Sequence, residues 1–511
     1  MRYFVFVICS ISFTGCLCPP VHEKVPDYSL KSSWKQAVPE STVAKNASTD
    51  TWWEVFDDPQ LNALIELGLE NSPTITQALA RFDQAIYIAK VTGADQFPSI
   101  SLNGYGSRRR IPKDVRPSSN VLTGDYEVTK LPPPVPVPNT GPNPIMVPPV
   151  VVPAVPKTKE VSGPKFINNF IATLLVTYEL DFWGKYYLQA QAAQNRAQAS
   201  FEQLETAKLL LVDQIASTYF TLQAIEQELQ LLKDEIGAHS ERVDLLAEQT
   251  EKGLTDAIRV LDEGALLEVK KIEEQSLINS KQALSSLLAV LIGKDPNAAH
   301  IPLAPISWSF PIVPTDLPCA LLEKRPDVRS RLREVEAIIA EIGAAKTEIL
   351  PSLSLSGAVG YQASKANEWF KWKDRIWSIA ASLAQTVFDA GKRFAQIDAT
   401  KAQFREAVGN ATEAVLSSVK EVEDALSAIN TQTIRRQASL QKAEERDITE
   451  MLRSKQCEEG LFDYLLVLQA KETAIQAKRE LVQEELNLQL ATLTLMKSIG
   501  GSWTLPQPSA C

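Results

Sequence analysis

The chain has 511 residues, 45% hydrophobic and 22% charged, and its 62 acidic and 52 basic side chains leave a formal net charge of −10, which argues against a nucleic-acid partner. The three histidines, His22, His239 and His300, lie far apart and read as packed or solvated residues. The six cysteines, Cys9, Cys16, Cys18, Cys319, Cys457 and Cys511, fit neither a zinc site nor a disulfide framework, and with no phosphate-binding glycine loop, HExxH or GxSxG the sequence implies no cofactor and no enzyme.

Residues 1–15 carry Arg2 and then the apolar run Tyr3 to Phe13, the form of a short export signal peptide. The run ends Phe13-Thr14-Gly15-Cys16, which resembles a bacterial lipobox and makes Cys16 the candidate lipid anchor of a lipidated segment, 16–57. Acylation at one cysteine anchors stably because each buried CH₂ contributes about 0.8 kcal/mol. Leu17 in place of aspartate implies, in such lipoproteins, sorting to the outer membrane. No other run reaches about 20 apolar residues, so an ordinary membrane-spanning helix is not expected.

Trp52-Trp53-Glu54-Val55-Phe56-Asp57-Asp58-Pro59 leads into Leu61, Leu64, Ile65 and Leu69 at helical spacing, with aspartate before proline as a helix start. A second helix runs from Ser72-Pro73 to Pro98. Strands follow at about 99–110 and 168–183, the latter alternating Phe170, Ala172, Leu174, Val176 and Tyr178 with more polar neighbours; period two gives one apolar and one polar face. Between them, 111–164 holds fourteen of the 31 prolines and reads as extended polyproline II outside any packed core. Residues 184–292 read as a very long helical hairpin with its tip near Gly253. Its first arm, with Leu211, Ile215, Leu222, Ile225, Leu229 and Leu232 on a coiled-coil seam, spans about 100 Å.

The pattern then repeats. Gly184, Gly253, Val260 and Ile292 return 207 residues later as Gly391, Gly460, Val467 and Ile499, and Pro73, Pro98 and Gly104 return 253 residues later as Pro326, Pro351 and Gly357. Landmarks in one register mark an internal duplication, and the difference in spacing is the proline-rich insert. The first repeat is 58–292, a proline-punctuated linker covers 293–319, and the second repeat covers 320–500. Its strands lie at about 352–363 and 375–388, and its hairpin at 391–500 has a tip near Gly460. Residues 501–511 form a C-terminal tail. Aromatics flank the strands, with Phe182, Trp183, Tyr186 and Tyr187 on one side and Trp369, Phe370 and Trp372 on the other, as in the girdles of membrane barrels.

Four amphipathic strands cannot close a barrel, since the smallest membrane barrels have about eight, and an open sheet in lipid leaves backbone groups unpaired. Several chains must therefore share one barrel. The fold class expected is mainly α with transmembrane β, built on an internal duplication.

Cys16, Trp53-x-x-Phe56-x-Asp58-Pro59-x-Leu61, Tyr178-Glu179-Leu180-Asp181-Phe182-Trp183-Gly184, Arg325-Pro326-Asp327-Val328 and Phe388-Asp389-Ala390-Gly391 together resemble the TolC-like outer membrane efflux proteins, within them the lipoprotein branch serving resistance–nodulation–division (RND) pumps. The resemblance implies a homotrimer with a 12-stranded β-barrel in outer membrane lipids, four strands per chain, continued by a long periplasmic α-helical barrel. It implies a periplasmic adaptor (membrane fusion) protein and an inner membrane RND-type transporter as partners, and passive export of small molecules such as drugs or toxic compounds. It places 111–164 outside the cell and the tips at Gly253 and Gly460 at the periplasmic end. Matching the family's constriction gives Leu465 and Gln469. The usual aspartate is missing at Gln469, while its first-copy counterpart is Asp262, so Leu465 is expected to plug the duct with Asp262 supplying charge. Asp256 and Asp463 read as helix caps. Thr386, where the family often has proline, and the long insert depart from the pattern. The alternatives are a duct for type I protein secretion and, in another class, a trimeric coiled-coil structural or adhesive surface protein.

Overall fold

A computed structural model describes residues 34, 51–110, 112, 118–127, 155–162, 166–298, 308–310 and 324–501. Cys16, the signal at 1–15, most of the linker and the tail beyond 501 lie outside them. The chain divides into two compact units, one helical, from three stretches of chain, and one of sheet, from two.

In the helical unit, α1 (Pro59–Asn71) starts where Asp58 accepts hydrogen bonds from the backbone N–H of Gln60 and Leu61 at 2.9 and 3.1 Å. α2 (Pro73–Ala94) follows directly and buries no side chain. The long helices are α3 (Lys185–Glu251), α4 (Ala257–Leu291), α6 (Lys392–Glu458) and α7 (Tyr464–Ser498), with α5 (Pro326–Thr347) before the second pair. The two hairpins match in length, 67 then 35 residues in each. α4 packs on α3, α3 on α7 and α7 on α6, so α4 and α6 are the flanks.

The motifs at the start of each repeat are structural anchors. Trp52, Trp53 and Phe56, in a 3₁₀ turn, join Leu61, Ile215 and Tyr219 in one core. The Tyr219 hydroxyl donates to Asp58 at 2.9 Å and accepts from Gln223 at 2.9 Å, so a buried phenol is fully used. Arg325 forks onto Asp327 at 3.0 and 2.7 Å and also donates to Glu421 and to the Ser498 carbonyl. One guanidinium thus ties the start of α5 to α6 and to the end of α7.

The sheet unit contains β1 (Ser99–Arg110), β4 (Phe166–Leu180), β5 (Ser352–Ala363) and β6 (Arg375–Ala384), all antiparallel in the order β1-β4-β5-β6. β4 and β6 end three and four residues earlier than the sequence estimate. At each place an aspartate turns to the next helix: Asp181 accepts from the Tyr187 N–H at 2.8 Å, and Asp389 accepts from Gly391 and Arg393 at 3.0 and 3.3 Å.

The main sheet has the four strands expected, and the polyproline reading of 111–164 needs correction at two described stretches. β2 (Ser118–Glu127) and β3 (Val155–Ser162) pair as a separate antiparallel two-stranded sheet. The prolines cluster between these strands. β2 contains none, and the one in β3, Pro156, pairs with Tyr126 just past an irregularity between Leu122 and Tyr126. A residue with no backbone N–H is tolerated there, at a strand end beside a bulge.

Candidate functional site

Residues paired across an antiparallel ladder point to the same side of the sheet, so the register decides whether the alternation of each strand builds a common face. Ile100 pairs with Val176, which pairs with Gly357, which pairs with Ile379. Leu102, Leu174, Val359 and Trp377 form the next row, and Leu353 and Leu383 lie on the same side. The opposite side carries rows such as Ser99, Thr177, Ser356 and Ala380. One side is therefore apolar across all four strands, and it is bare: Leu102, Trp377 and Ile379 are 79%, 73% and 82% exposed. Aromatic rings gather at one end, where Trp369 meets Phe170 at 5.6 Å and Phe370 meets Tyr361 at 5.7 Å. Among the described residues β1 and β6 each have one neighbour, leaving two edges with unpaired backbone groups.

The helical hairpins turn by the same device twice. Gly253 (φ +70°) and Gly460 (φ +75°) adopt the left-handed conformation after α3 and α6. Their N–H groups donate to the carbonyls of Thr250 and Cys457, and those of Leu254 and Leu461 to Gln249 and Gln456, all at 2.9 Å. These are Schellman closures. Asp256 and Asp463 then cap α4 and α7 through the N–H groups of Ile258 and Leu465 at 3.1 and 3.2 Å.

Of the sequence-derived constriction residues, Leu465 sits half-buried in the first turn of α7, Gln469 is exposed one turn on, and Asp262 is exposed on α4. Neither Asp262 nor Gln469 makes a hydrogen bond or ion pair among the described residues. The buried acid of that stretch is its neighbour, Glu263.

Glu263 belongs to a column of charges that sequence reasoning missed. His239, read from the sequence as a packed or solvated histidine, is 1% exposed on α3. Its Nδ1 lies 2.5 Å from Glu263 Oε1 and its Nε2 lies 3.6 Å from Glu472 Oε1 on α7. Arg242 bonds both Glu263 and Glu472. Glu235, fully buried, receives Lys270 of α4 at 2.8 Å and Arg479 of α7 at 2.9 Å, and Arg479 also pairs with Glu228 and Glu273. The Tyr464 hydroxyl donates to Glu241 at 2.9 Å, a further link between α7 and α3. Burial opposes charge on Glu273, yet the hydrogen bond and charge of Arg479, with Lys270, hold it below its ordinary value. A signal for this column exists: Glu228, Glu235 and Arg242 on α3, Glu263 and Lys270 on α4, and Glu472 and Arg479 on α7 each recur at seven-residue spacing, which stacks them on one helix stripe. Glu235, His239 and Glu472 bring one ligand atom each to within 4.8 Å of one another.

A bare apolar sheet face with two open edges is the mark of a chain that completes itself in lipid with other chains, and long paired helices fit the wall of a conduit. The sequence matches the family described as outer membrane efflux protein over residues 158–293 and 317–501. It is 23% identical over 506 residues to the outer membrane protein OprJ of Pseudomonas aeruginosa, covering 97% of this chain and 95% of that one. It is also 23% identical to the solvent efflux pump outer membrane protein SrpC of Pseudomonas putida, covering 89% and 88%. Its fold matches the CmeC outer membrane channel of Campylobacter jejuni with a TM-score of 0.78 at 19% identity, covering 95% of each chain. The open state of the MtrE outer membrane channel of Neisseria gonorrhoeae matches with a TM-score of 0.73 at 20% identity, covering 93% of this chain and 98% of that one. The chain belongs to the outer membrane efflux protein family. It is an outer-membrane exit duct associated with an efflux system, and a passive one rather than a catalyst.

Proposed function

We propose that three copies of this chain pool their four-stranded sheets into one 12-stranded barrel across the outer membrane, and that the helical hairpins extend that barrel as a periplasmic tube. The observation that carries this reading is the continuous apolar sheet face bounded by two unpaired edges. In lipid each unsatisfied backbone group costs several kcal/mol, and pairing β6 of one copy with β1 of the next removes both edges. The helical unit supports the same closure, since α4 and α6 are its flanks and each leaves apolar side chains exposed, Leu261 and Ile272 on the one, Ile434 and Met451 on the other.

The tube conducts small molecules, drugs or toxic compounds among them, from an inner membrane RND-type transporter and a periplasmic adaptor to the exterior. SrpC, a solvent efflux component, supports this substrate class. Lipidation at Cys16, in the lipobox-like Phe13-Thr14-Gly15-Cys16, tethers each copy to the outer membrane. The segment 111–164 lies outside the cell, the tips at Gly253 and Gly460 face the adaptor, and Leu465 with Gln469 and Asp262 narrows the periplasmic end.

Purified full-length chain in detergent should run as a trimer and form open or gateable pores in planar bilayers, with Leu465→Ala raising the leak conductance. A monomer that forms no pore overturns the duct. A trimer whose leak is unchanged by Leu465→Ala removes only the constriction. Labelling with radioactive palmitate should be lost in Cys16→Ala; retention would remove the anchor.

A further inference from the structure

We propose that Glu235, His239 and Glu472 form a binding site for one divalent transition-metal cation of the zinc class, which joins α3 to α7. The site lies in the helical unit, and metal binding to it can be read whether or not the chain is a duct.

The argument begins with the imidazole. Its Nδ1 is 2.5 Å from Glu263 Oε1, so Nδ1 carries a proton toward that carboxylate and Nε2 is the ring atom left for another partner. A histidine that ligates a metal characteristically gives its other N–H to a carboxylate in this way. Nε2 is buried, has no hydrogen-bond partner among the described residues, and faces Glu472 Oε1 at 3.6 Å. Glu472 Oε1 and Glu235 Oε1 each accept from the Gln476 side-chain amide at 3.4 Å, a weak donor that a cation between the three ligand atoms would displace. The Nε2–Oε1 separation is too long for a hydrogen bond. It is close to the edge of a tetrahedral zinc site with one imidazole and one carboxylate ligand, about 3.3 Å for ligand bonds of about 2.0–2.1 Å.

The charge balance points the same way. The column around His239 holds five carboxylates, Glu228 and Glu235 on α3, Glu263 and Glu273 on α4, and Glu472 on α7. Its fixed cations are three, Arg242, Lys270 and Arg479. The carboxylates thus outnumber the fixed cations by two, a surplus that one divalent ion would match. Each ligand already has an outer partner that orients it: Glu263 for His239, Arg242 for Glu472, and Arg479 with Lys270 for Glu235. One imidazole and two carboxylates leave a fourth position open, and a nitrogen–oxygen set of this kind suits zinc, nickel or cobalt better than calcium.

The test uses detergent-purified full-length chain, stripped with a chelator and with its thiols alkylated, titrated with Co²⁺ as the spectroscopic probe and then with Zn²⁺. Wild type should take up one Co²⁺ per chain with the intense visible bands of a tetrahedral site, and Zn²⁺ should displace it. Zn²⁺ should also raise the Tm of wild type and leave that of His239→Gln unchanged. Glu263→Gln, which touches only the outer partner, should keep the bands and weaken affinity by about 10–100-fold. Less than stoichiometric uptake by wild type, or equal uptake by a folded His239→Gln, overturns the proposal. So does a ring ¹⁵N spectrum showing imidazolium at neutral pH that Zn²⁺ does not alter, which would assign the position to a proton.

Discussion

The two helical hairpins have arms of the same lengths and turn at glycines 207 residues apart, yet they are buried in opposite ways. In the first, the long arm α3 carries the buried residues and the short arm α4 has only Glu263, Leu288, Ala289 and Leu291. In the second, the short arm α7 is buried along its length and the long arm α6 is mostly open. The sequences were duplicated but their surroundings were not: α3 packs on α2, α4, α5 and α7, and α7 on α3 and α6, whereas α4 packs on α3 and α6 on α5 and α7. Local structure follows the repeat, and burial follows position in the row. The ionic column obeys the same division, because it is buried where α3, α4 and α7 meet, whereas the α6–α7 pairs Arg436–Glu485, Lys442–Glu480 and Asp447–Lys478 are more exposed.

That comparison can be broken at its strongest point first. Leu232 on α3 is fully buried, and Leu232→Ala should cost about 2–5 kcal/mol and lower the denaturation midpoint of the helical unit in detergent. Leu261 on α4 is exposed in the single chain. Leu261→Asp should leave that midpoint within about 0.5 kcal/mol while reducing the trimer fraction measured by analytical ultracentrifugation. Equal loss of stability from both would mean that α4 is not a flank.

Tyr219→Phe comes next. It removes the hydroxyl shared by Asp58 and Gln223 and should cost about 1–3 kcal/mol through the polar groups left unsatisfied, measured by the same unfolding curve. The hairpin glycines sharpen the symmetry. A Cβ at Gly253 or Gly460 meets nothing within 4 Å, whereas one at Gly293 would lie 2.3 Å from the Asn71 carbonyl oxygen. Gly253→Ala and Gly460→Ala should each cost about 1 kcal/mol from left-handed strain alone and match each other. Gly293→Ala should cost clearly more, because backbone must move.

The smallest effect is in pH. Arg479 and Lys270 outweigh burial and hold Glu273 below its ordinary 4.5, so the native state binds that proton less readily than the unfolded chain. Its contribution is complete above 4.5 and is lost as pH falls through the lower folded value. Glu485 has the opposite sign: burial raises it above 4.5 against Arg436, so its contribution is present below 4.5 and fades as pH rises through the folded value. Thermal unfolding followed from neutral to acid pH should show Glu273→Gln losing less stability than wild type. An identical acid slope in the two would remove Arg479 as the dominant partner of Glu273.

Much of the architecture was legible because it rests on short-range rules. Alternation in Ile100 and Leu102, or in Trp377 and Ile379, states which side of a strand is apolar, and a glycine followed three residues on by aspartate states where one helix closes and the next begins. The pairing of β2 with β3 was hidden because prolines dominate the composition of 111–164 although β2 itself contains none. Glu263 was hidden behind Asp262 because one residue on a helix turns a side chain by about 100°, and only packing tells the buried neighbour from the exposed one.

By itself the sequence determined the repeat, the helix lengths, the turn chemistry and the parity of the four strands of the main sheet, since these depend on the properties of residues a few positions apart. Only the tertiary structure decided that β4 lies between β1 and β5, that α3 and α7 are inside while α4 and α6 are flanks, and that His239, Glu263 and Glu472 meet. Those juxtapositions join residues as many as 233 positions apart. Helical spacing says nothing about which stripe will face another until the core has placed the helices side by side.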